Sequence, residues 1–391
     1  MKILMVHNRY QIQGGEDRSF DSESQLLEQY GHQVFRYIRE NNEIAQTISR
    51  LEVGVRSVWS QTDYLEINRV IEEFSPDIVH VQNFFPLISP SVYYAARKHN
   101  IPVIQSLRNY RLWCLNAYFF RASSPCELCL DKPVALPGIF HRCYRDSYLQ
   151  STAVALMQST HRLLRTWQKK VDRYIVLTDF FKDKAVQGGL PDKKLSIKPN
   201  FVATDPGAAY TKENFLLYVG RLSPEKGIQT LLAAWMQHSD LPTLKFIGRG
   251  PMVEDIQKVA GQREHVDYLG ELPLNDVYDW MGKAKALVFS SQWYEGLPRT
   301  IIEAFAKGTP VITSRLGAME NLVGHQYTGL HFELGNVEDL VRQIRWMEAH
   351  PQEWAVIQQN ARKEFELKFT AERNYQLLMA IYQRAISEAS R

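Results

Sequence analysis

The sequence predicts an α/β protein built from two doubly wound, parallel-sheet domains. Three observations carry this. Short apolar runs alternate with helix-like stretches as far as Leu195–Lys198, and the alternation restarts at Phe215. Several of the runs end in glycine-bearing turns, among them Gly14-Gly15, Gly220–Gly227 and Gly248-Arg-Gly250-Pro251. A length of 391 residues also suits two domains, at roughly 150 residues each with a tail to spare. Hydrophobic residues at 45% and charged residues at 23% are ordinary for a soluble globular chain. No apolar run approaches the ~18 residues that span a bilayer. A net charge of +3 is too mild to argue for nucleic acid as a partner. Met1–Val6 is too short for a signal peptide and runs into His7-Asn8-Arg9, so a cytoplasmic protein is expected.

Lys2–Val6 opens the chain as a strand, followed by Gly14-Gly15-Glu16-Asp17 and a helical stretch to about Tyr30. Paired glycines let the backbone approach a ligand, or simply make a tight turn. The dinucleotide fingerprint and the P-loop are both absent. Gln33–Ile38 reads as a strand, Asp63–Phe74 as a helix, Asp77–Val81 as a strand, Pro90–His99 as a helix and Pro102–Ser106 as a strand. Ligands of open α/β sheets gather beyond the carboxyl ends of the strands. That puts His80, Gln82, Asn83, Arg108 and Asn109 at the mouth of the sheet, with His80, Asn83 and Asn109 on the acceptor side. His80 also reads as a core or edge histidine satisfied by backbone.

Residues 111–146 break the rhythm with an aromatic, cationic insertion, and a loop of that length is usually functional or tied down. It contains all four cysteines, Cys114, Cys126, Cys129 and Cys143. Thiolate tetrads hold structural zinc, but there is one close pair where a zinc ribbon has two. Zinc, buried or free thiols, and a disulfide all stay open. Tyr148–Val171 reads as one long helix carrying His161, Arg162, Arg165, Lys169 and Lys170, either a solvated face or one that docks on a membrane. Strands at Tyr174–Thr178 and Leu195–Lys198 complete a first domain, 1–203, and residues 203–213 read as a linker.

The second domain, 214–370, restarts with the strand Phe215–Val219. Arg221 and Lys226 on the following loop can grip a diphosphate, one through a planar fork and the other as a point charge, or form a merely cationic turn. A helix follows from Ile228 to about His238, then strand-to-turn units at Leu244–Gly248 and Val266–Gly270, the latter placed to hold a base. After the strand Ala286–Ser290 comes Trp293–Phe305, where Pro298 suits the first position of a helix. Glu295 then lies in the loop ahead of that helix and Glu303 on its second turn. The free amides of a helix start suit a phosphate. Two flanking carboxylates can accept hydrogen bonds from sugar and ribose hydroxyls, or be two solvated glutamates. Val311–Ser314 is a further strand, with helices at about Asn336–His350 and Pro351–Phe365 and a closing helix within 371–391.

Gly220-Arg-Leu-Ser-Pro-Glu-Lys-Gly227, Gly248-x-Gly-Pro251 and Glu295 with Glu303, in that order, resemble the family 4 retaining glycosyltransferases of the GT-B fold. Within the family the chain resembles bacterial polysaccharide-assembly enzymes with a cysteine-containing insertion and a segment like Arg142-Cys-Tyr-Arg145. The resemblance implies two Rossmann-like domains facing across a cleft, with the C-terminal helix packing back on the first. It implies a UDP- or GDP-type sugar donor, a glycan or lipid-linked acceptor, and peripheral contact with the inner face of the membrane. By position, Arg221 and Lys226 would hold the diphosphate, with Gly14 and Gly15 closing on it. Glu303 would take the ribose and Glu295 the donor sugar. Gly296, Leu297, Pro298 and Arg299 would meet the phosphate, and Gly248, Leu269 and Gly270 would border the nucleotide. Catalysis would use Glu295, Arg108, Arg221 and Lys226 and require no metal. The resemblance puts Arg108 and Gln82 where many relatives carry histidine, which implies either a donor bearing a carboxylate or an altered or lost activity, the latter a non-catalytic nucleotide-sugar-binding or scaffold protein on the same fold.

Overall fold

The computed structural model describes residues 1–11, 14–44 and 49–389. The chain divides into two compact units. The first comprises Met1–Phe119, Cys126–Pro199 and Asn374–Arg391, and the second Phe120–Pro125 and Asn200–Arg373.

The first unit opens with β1 (Lys2–Arg9), longer than its apolar run because two polar residues find buried partners. His7 Nε2 lies 2.9 Å from Asp17 Oδ1, and Asn8 donates to Asn41 Oδ1 at 2.9 Å. α1 (Gly15–Gln29) starts beside Gly14, whose N–H donates to the Asp17 carboxylate at 2.9 Å. β2 (Gln33–Glu40) leads to α2 (Arg50–Val58) and α3 (Gln61–Phe74). The N-cap serines Ser49 and Ser60 accept from Glu52 and Asp63, satisfying amides that the helix itself leaves open. β3 (Ile78–Asn83), α4 (Ser91–Lys98) and β4 (Val103–Ser106) follow as the pattern predicts.

The insertion carries a two-residue ladder, β5 (Phe120–Arg121) with β6 (Ser124–Pro125), and the short α5 (Leu136–Phe140). The long predicted helix is two: α6 (Tyr148–Leu163) and α7 (Thr166–Lys169). Arg165 between them has φ +55°, and a left-handed residue cannot continue a right-handed helix. β7 (Arg173–Val176), α8 (Asp179–Gln187) and β8 (Leu195–Ile197) finish the sheet. Its strands are all parallel in the order β2-β1-β3-β4-β7-β8.

The second unit repeats the plan. β9 (Glu213–Val219), α9 (Ile228–Gln237), β10 (Thr243–Ile247), α10 (Val253–Ala260) and β11 (Val266–Tyr268) form its first half. α11 (Leu274–Lys283), β12 (Ala284–Phe289), α12 (Arg299–Ala306), β13 (Val311–Ser314), α13 (Ala318–Leu322) and β14 (Gly329–Phe332) form its second. The order is β11-β10-β9-β12-β13-β14, again all parallel. α14 (Val337–Ala349) and α15 (Pro351–Lys368) cover it, with Trp354 and Ile357 buried in the same core as Leu216, Phe246 and Val288. The predicted linker belongs to this unit: Asp205 pairs with Arg362, and Lys212 Nζ donates to Gly282 and Thr309. The closing helix α16 (Ala371–Ala389) returns to the first unit. There Leu378, Ile381, Tyr382 and Ala385 join Ile3, Met5, Phe20 and Ile78. Among the described residues no helix is long and apolar enough to cross a membrane.

Candidate active site

In the second unit the strand order reverses between β9 and β12, so the loops after these strands leave the sheet side by side. Open α/β sheets bind ligands at such a point. Gly227 makes the close approach: its φ is +71°, and a Cβ there would lie 1.9 Å from the Ser290 carbonyl oxygen. Ser290 Oγ in turn donates to the Lys226 carbonyl at 2.9 Å. With the loops joined, Lys226 Nζ donates to Glu295 Oε1 at 2.6 Å. The same oxygen accepts from Ser291 Oγ at 2.8 Å and Trp293 Nε1 at 2.7 Å. The Trp293 ring also faces the Lys226 ammonium, 5.0 Å from its centroid. Arg221 lies at the rim, its side chain 54% exposed, and pairs with Glu225. Burial pushes the Glu225 carboxyl up, but the Ser223 hydroxyl and Arg221 outweigh it and hold it below the usual range. The arrangement offers one enclosed and one exposed cation to a diphosphate, each already held by a carboxylate. It also sets the Glu295 carboxyl oxygens where sugar hydroxyls could donate.

The neighbouring predictions divide. α12 begins at Arg299, one residue later than predicted, with Pro298 as a cap that offers no side-chain hydrogen bond. Arg299 Nε lies 3.5 Å from Glu303 Oε1, one turn on, and Glu303 is buried. Gly296 stays partly exposed. The Leu297 side chain is core, and its carbonyl accepts from Asn200 Nδ2 at 3.1 Å. Gly248 ties loops together: a Cβ there would sit 1.9 Å from the Gly220 oxygen, and its N–H donates to the Gly270 carbonyl at 2.8 Å. The Leu269 N–H likewise donates to Phe246. Sequence reading missed Ser291, Trp293 and Glu225. The only signal was their nearness in sequence to Glu295 and Arg221.

In the first unit the order reverses between β1 and β3. The Gly14 N–H is taken by Asp17, and Gly15 opens α1. Glu16 gathers the Tyr10 hydroxyl at 3.0 Å and Asn109 Nδ2 at 2.9 Å. Deeper lies a buried charge network that the sequence did not disclose. Glu23 accepts from Lys198 Nζ at 2.5 Å and Gln82 Nε2 at 2.6 Å, and Arg108 reaches within 3.7 Å. Burial pushes the Glu23 carboxyl up, but Lys198, His80 and Arg108 outweigh it and bring it to about 2.

Several expectations need correction here. His80 is fully buried within β3, bonded to the Tyr382 hydroxyl at 2.7 Å and Ser106 Oγ at 2.8 Å, so it is a core residue and presents nothing to an acceptor. Asn83 is buried and engaged with Asn8 and the Phe85 N–H. The Arg108 side chain is only 4% exposed, and its Nε donates to Gln82 Oε1 at 2.8 Å. A sugar carboxylate would have to compete with Glu23 for it. His161 does not belong to a charged outer face: it is buried, bonded to Thr166 and the Val58 carbonyl. The four cysteines are free thiols drawn to one locality. Burial, then the nearby Cys114, Cys143 and Cys126, push the Cys129 thiol up to about 11, against a hydrogen bond from the Gly138 backbone. Among the described residues no group of three or more His, Cys, Asp or Glu side chains is arranged to hold a metal ion. Separate short turns hold the cysteines, with the Cys126 N–H donating to Phe119 and the Cys143 N–H to Gly138.

Two parallel-sheet Rossmann-like units, with the loops after β9 and β12 meeting at a switch point, define a GT-B-type protein. The profile of Glycosyltransferase Family 4 matches residues 14–206, and that of Glycosyl transferases group 1 matches residues 204–364. The chain belongs to the family 4 type of glycosyltransferases with the GT-B fold. It is similar to an uncharacterized 42.6 kDa protein in the cps region of Klebsiella pneumoniae, 28% identical over 66% of this chain and 62% of that one. It is also similar to the sulfoquinovosyl transferase SQD2 of Arabidopsis thaliana, 25% identical over 76% of this chain and 55% of that one. The chain thus spans less than two thirds of the length of these curated relatives. HepE of Anabaena, solved in complex with UDP-glucose, matches with a TM-score of 0.67 at 16% identity over 98% of this chain and 100% of its own. Sucrose-phosphate synthase of Thermosynechococcus elongatus matches at 0.73 and 15% identity over 99% of both chains. At such identities the likeness is one of fold.

Proposed function

We propose that the chain transfers a sugar from a UDP- or GDP-type sugar nucleotide to a lipid-linked or polysaccharide acceptor, with retention of configuration and without a metal. The contact between Lys226 and Glu295 at the switch point of the second sheet, with Arg221 beside it, carries this reading. Lys226 and Arg221 would neutralise the leaving diphosphate, the role a metal plays elsewhere, and stabilise its developing charge. Glu295 would exchange its bond with Lys226 for bonds to donor-sugar hydroxyls. The acceptor's proton would pass to the leaving phosphate as the acceptor attacks the same face of the sugar. Uridine is the first base to try, since HepE binds UDP-glucose on the same fold. An acceptor on a lipid would put the work at the inner face of the membrane.

A second reading, a nucleotide-sugar-binding protein without turnover, is favoured by one observation: Arg108 is turned to Glu23 and Gln82 and so is already engaged within the first unit. A thermal-shift panel of UDP, GDP and ADP sugars, uronic acid conjugates included, followed by a donor-consumption assay, separates the two. Ligand that binds only the folded chain raises its melting temperature. A shift with one base and consumption of its sugar is expected. A shift without consumption, with every acceptor class tried, would favour the second reading. No shift from folded protein would sink both.

A further inference from the structure

α6 is amphipathic in an unusual sense: its outer face is leucine. Leu149, Leu156 and Leu163 recur every seventh residue and are 69%, 56% and 84% exposed. α2 lies against this helix at Gly54, where an added Cβ would come 3.5 Å from that of Ala153, so small residues let the backbones close in. Val55 and Trp59 continue the apolar surface on the α2 side at 65% and 36% exposure. Between the helices runs a groove of about 590 Å³, its walls including Val53, Val58, Trp59, Ala153 and Leu156. That volume falls in the range of sites that bury a small ligand. Exposed apolar surface of this continuity is ordinarily an interaction site.

Part of the groove's lining is aromatic and cationic. Phe85, Tyr144 and Arg145 line it, and the Arg111 guanidinium is stacked between the Phe85 and Tyr144 rings at 4.5 and 5.0 Å. Arg142, Arg145 and Asp146 have φ of +49°, +54° and +51°. Three non-glycine residues in the left-handed region within five positions make this turn costly in backbone energy. The Tyr144 N–H donates to Ser151 Oγ at 3.0 Å, which anchors the turn to α6. Asp146 lies 3.4 Å from Arg142. Arg145 is exposed, its guanidinium lies 5.6 Å from the Tyr144 ring centroid, and among the described residues no carboxylate pairs with it.

We propose that this groove takes the hydrocarbon chain of an amphiphile whose anionic phosphate sits on Arg145. The inference rests on the reading above to the extent that it names the acceptor as a lipid phosphate ester. An apolar trough whose lining includes an exposed cation, set over the Tyr144 ring and without a carboxylate partner among the described residues, is complementary to a long chain ending in a phosphate, and to neither half alone.

The test uses the full chain, titrated calorimetrically with dodecyl phosphate, dodecanol and inorganic phosphate, the amphiphiles kept monomeric, with nucleotide-sugar binding measured in parallel. Dodecyl phosphate should bind about tenfold or more tighter than dodecanol, as a charged hydrogen bond implies, and inorganic phosphate should not saturate. Arg145→Asn removes the charge with a residue that tolerates the left-handed turn, and should bring dodecyl phosphate to the level of dodecanol. Leu156→Glu, at an exposed position, should weaken both by about tenfold or more, since burying an unpaired carboxylate is costly. Affinity unchanged in both variants, or no binding of dodecyl phosphate, overturns the proposal. So does association with anionic phospholipid vesicles without affinity for the monomer, which would make the face a membrane-docking surface. A dimer that Leu156→Glu dissolves would assign the stripe to a second copy and equally overturn it. Loss of nucleotide-sugar binding by every form would sink the transferase reading and leave the groove result intact.

Discussion

At the scale of single residues the proposed chemistry turns on one oxygen. Glu295 Oε1 receives Lys226, Ser291 and Trp293 together, so the carboxylate is oriented before any donor arrives. Glu295→Gln should leave nucleoside diphosphate affinity within a few-fold and lower sugar transfer by about a hundredfold, read by calorimetry and donor consumption. Lys226→Ala should weaken the diphosphate itself by roughly 10- to 100-fold, the worth of a charged hydrogen bond. Equal affinity in both variants would remove Lys226 from the site. The buried network makes a different prediction. Burial holds His80 down from 6.5 to about 4, with Glu23 opposing and Lys198 and Arg108 adding. Glu23 falls from 4.5 to about 2. In both cases the unfolded chain takes up protons that the folded chain refuses, so stability is lost as pH falls. The His80 contribution goes between pH 6.5 and 4 and that of Glu23 between 4.5 and 2. Urea midpoints should drop from pH 7 to pH 4, and His80→Gln should flatten that slope whatever it does to stability at pH 7.

At the scale of elements, two glycines of nearly equal φ separate strain from contact. Gly227 and Gly207 have φ of +71° and +72°. A Cβ on Gly227 strikes the Ser290 oxygen, whereas one on Gly207 meets nothing within 4 Å. Gly207→Ala should cost about 1 kcal/mol, the left-handed penalty alone. Gly227→Ala should cost more, of order 2–3 kcal/mol, and should also weaken donor binding, because the loops that place Lys226 against Glu295 must part. Melting temperatures and a UDP titration of both variants would check this. Equal costs with unchanged affinity would mean the loop contact is dispensable. The break between α6 and α7 belongs to this scale too: the periodicity of 148–171 suits one helix, and only the left-handed Arg165 divides it.

At the scale of the whole molecule, the last helix completes the first unit. Leu378 is fully buried among Ile3, Ile78 and Ile104, residues some three hundred positions earlier, and Arg173 pairs with Glu388. Leu378→Ala should cost about 3 kcal/mol, as for a large side chain removed from a core. In hydrogen exchange the loss of protection should fall on β1, β3 and β4 while β12 keeps its own. Uniform loss over both units would mean that they unfold as one.

The sequence by itself determined the two parallel-sheet units and their turns. Strand and helix periods are local properties, and a loop such as Gly220–Gly227 declares its glycines and cations within eight residues. It also singled out Arg221, Lys226, Glu295 and Glu303 as candidates, because residue type and position in a strand-loop-helix unit are legible without partners. Only the tertiary structure decided what each polar group faces. His80, Asn83 and Arg108 carry the right side chains at the right strand ends, yet they are engaged with Tyr382, Asn8 and Glu23, from segments far away in the chain. The four cysteines are free thiols, and Leu149, Leu156 and Leu163 of α6 look outward. Periodicity reports which residues share a face. Whether that face is covered depends on long-range packing, which no local pattern encodes.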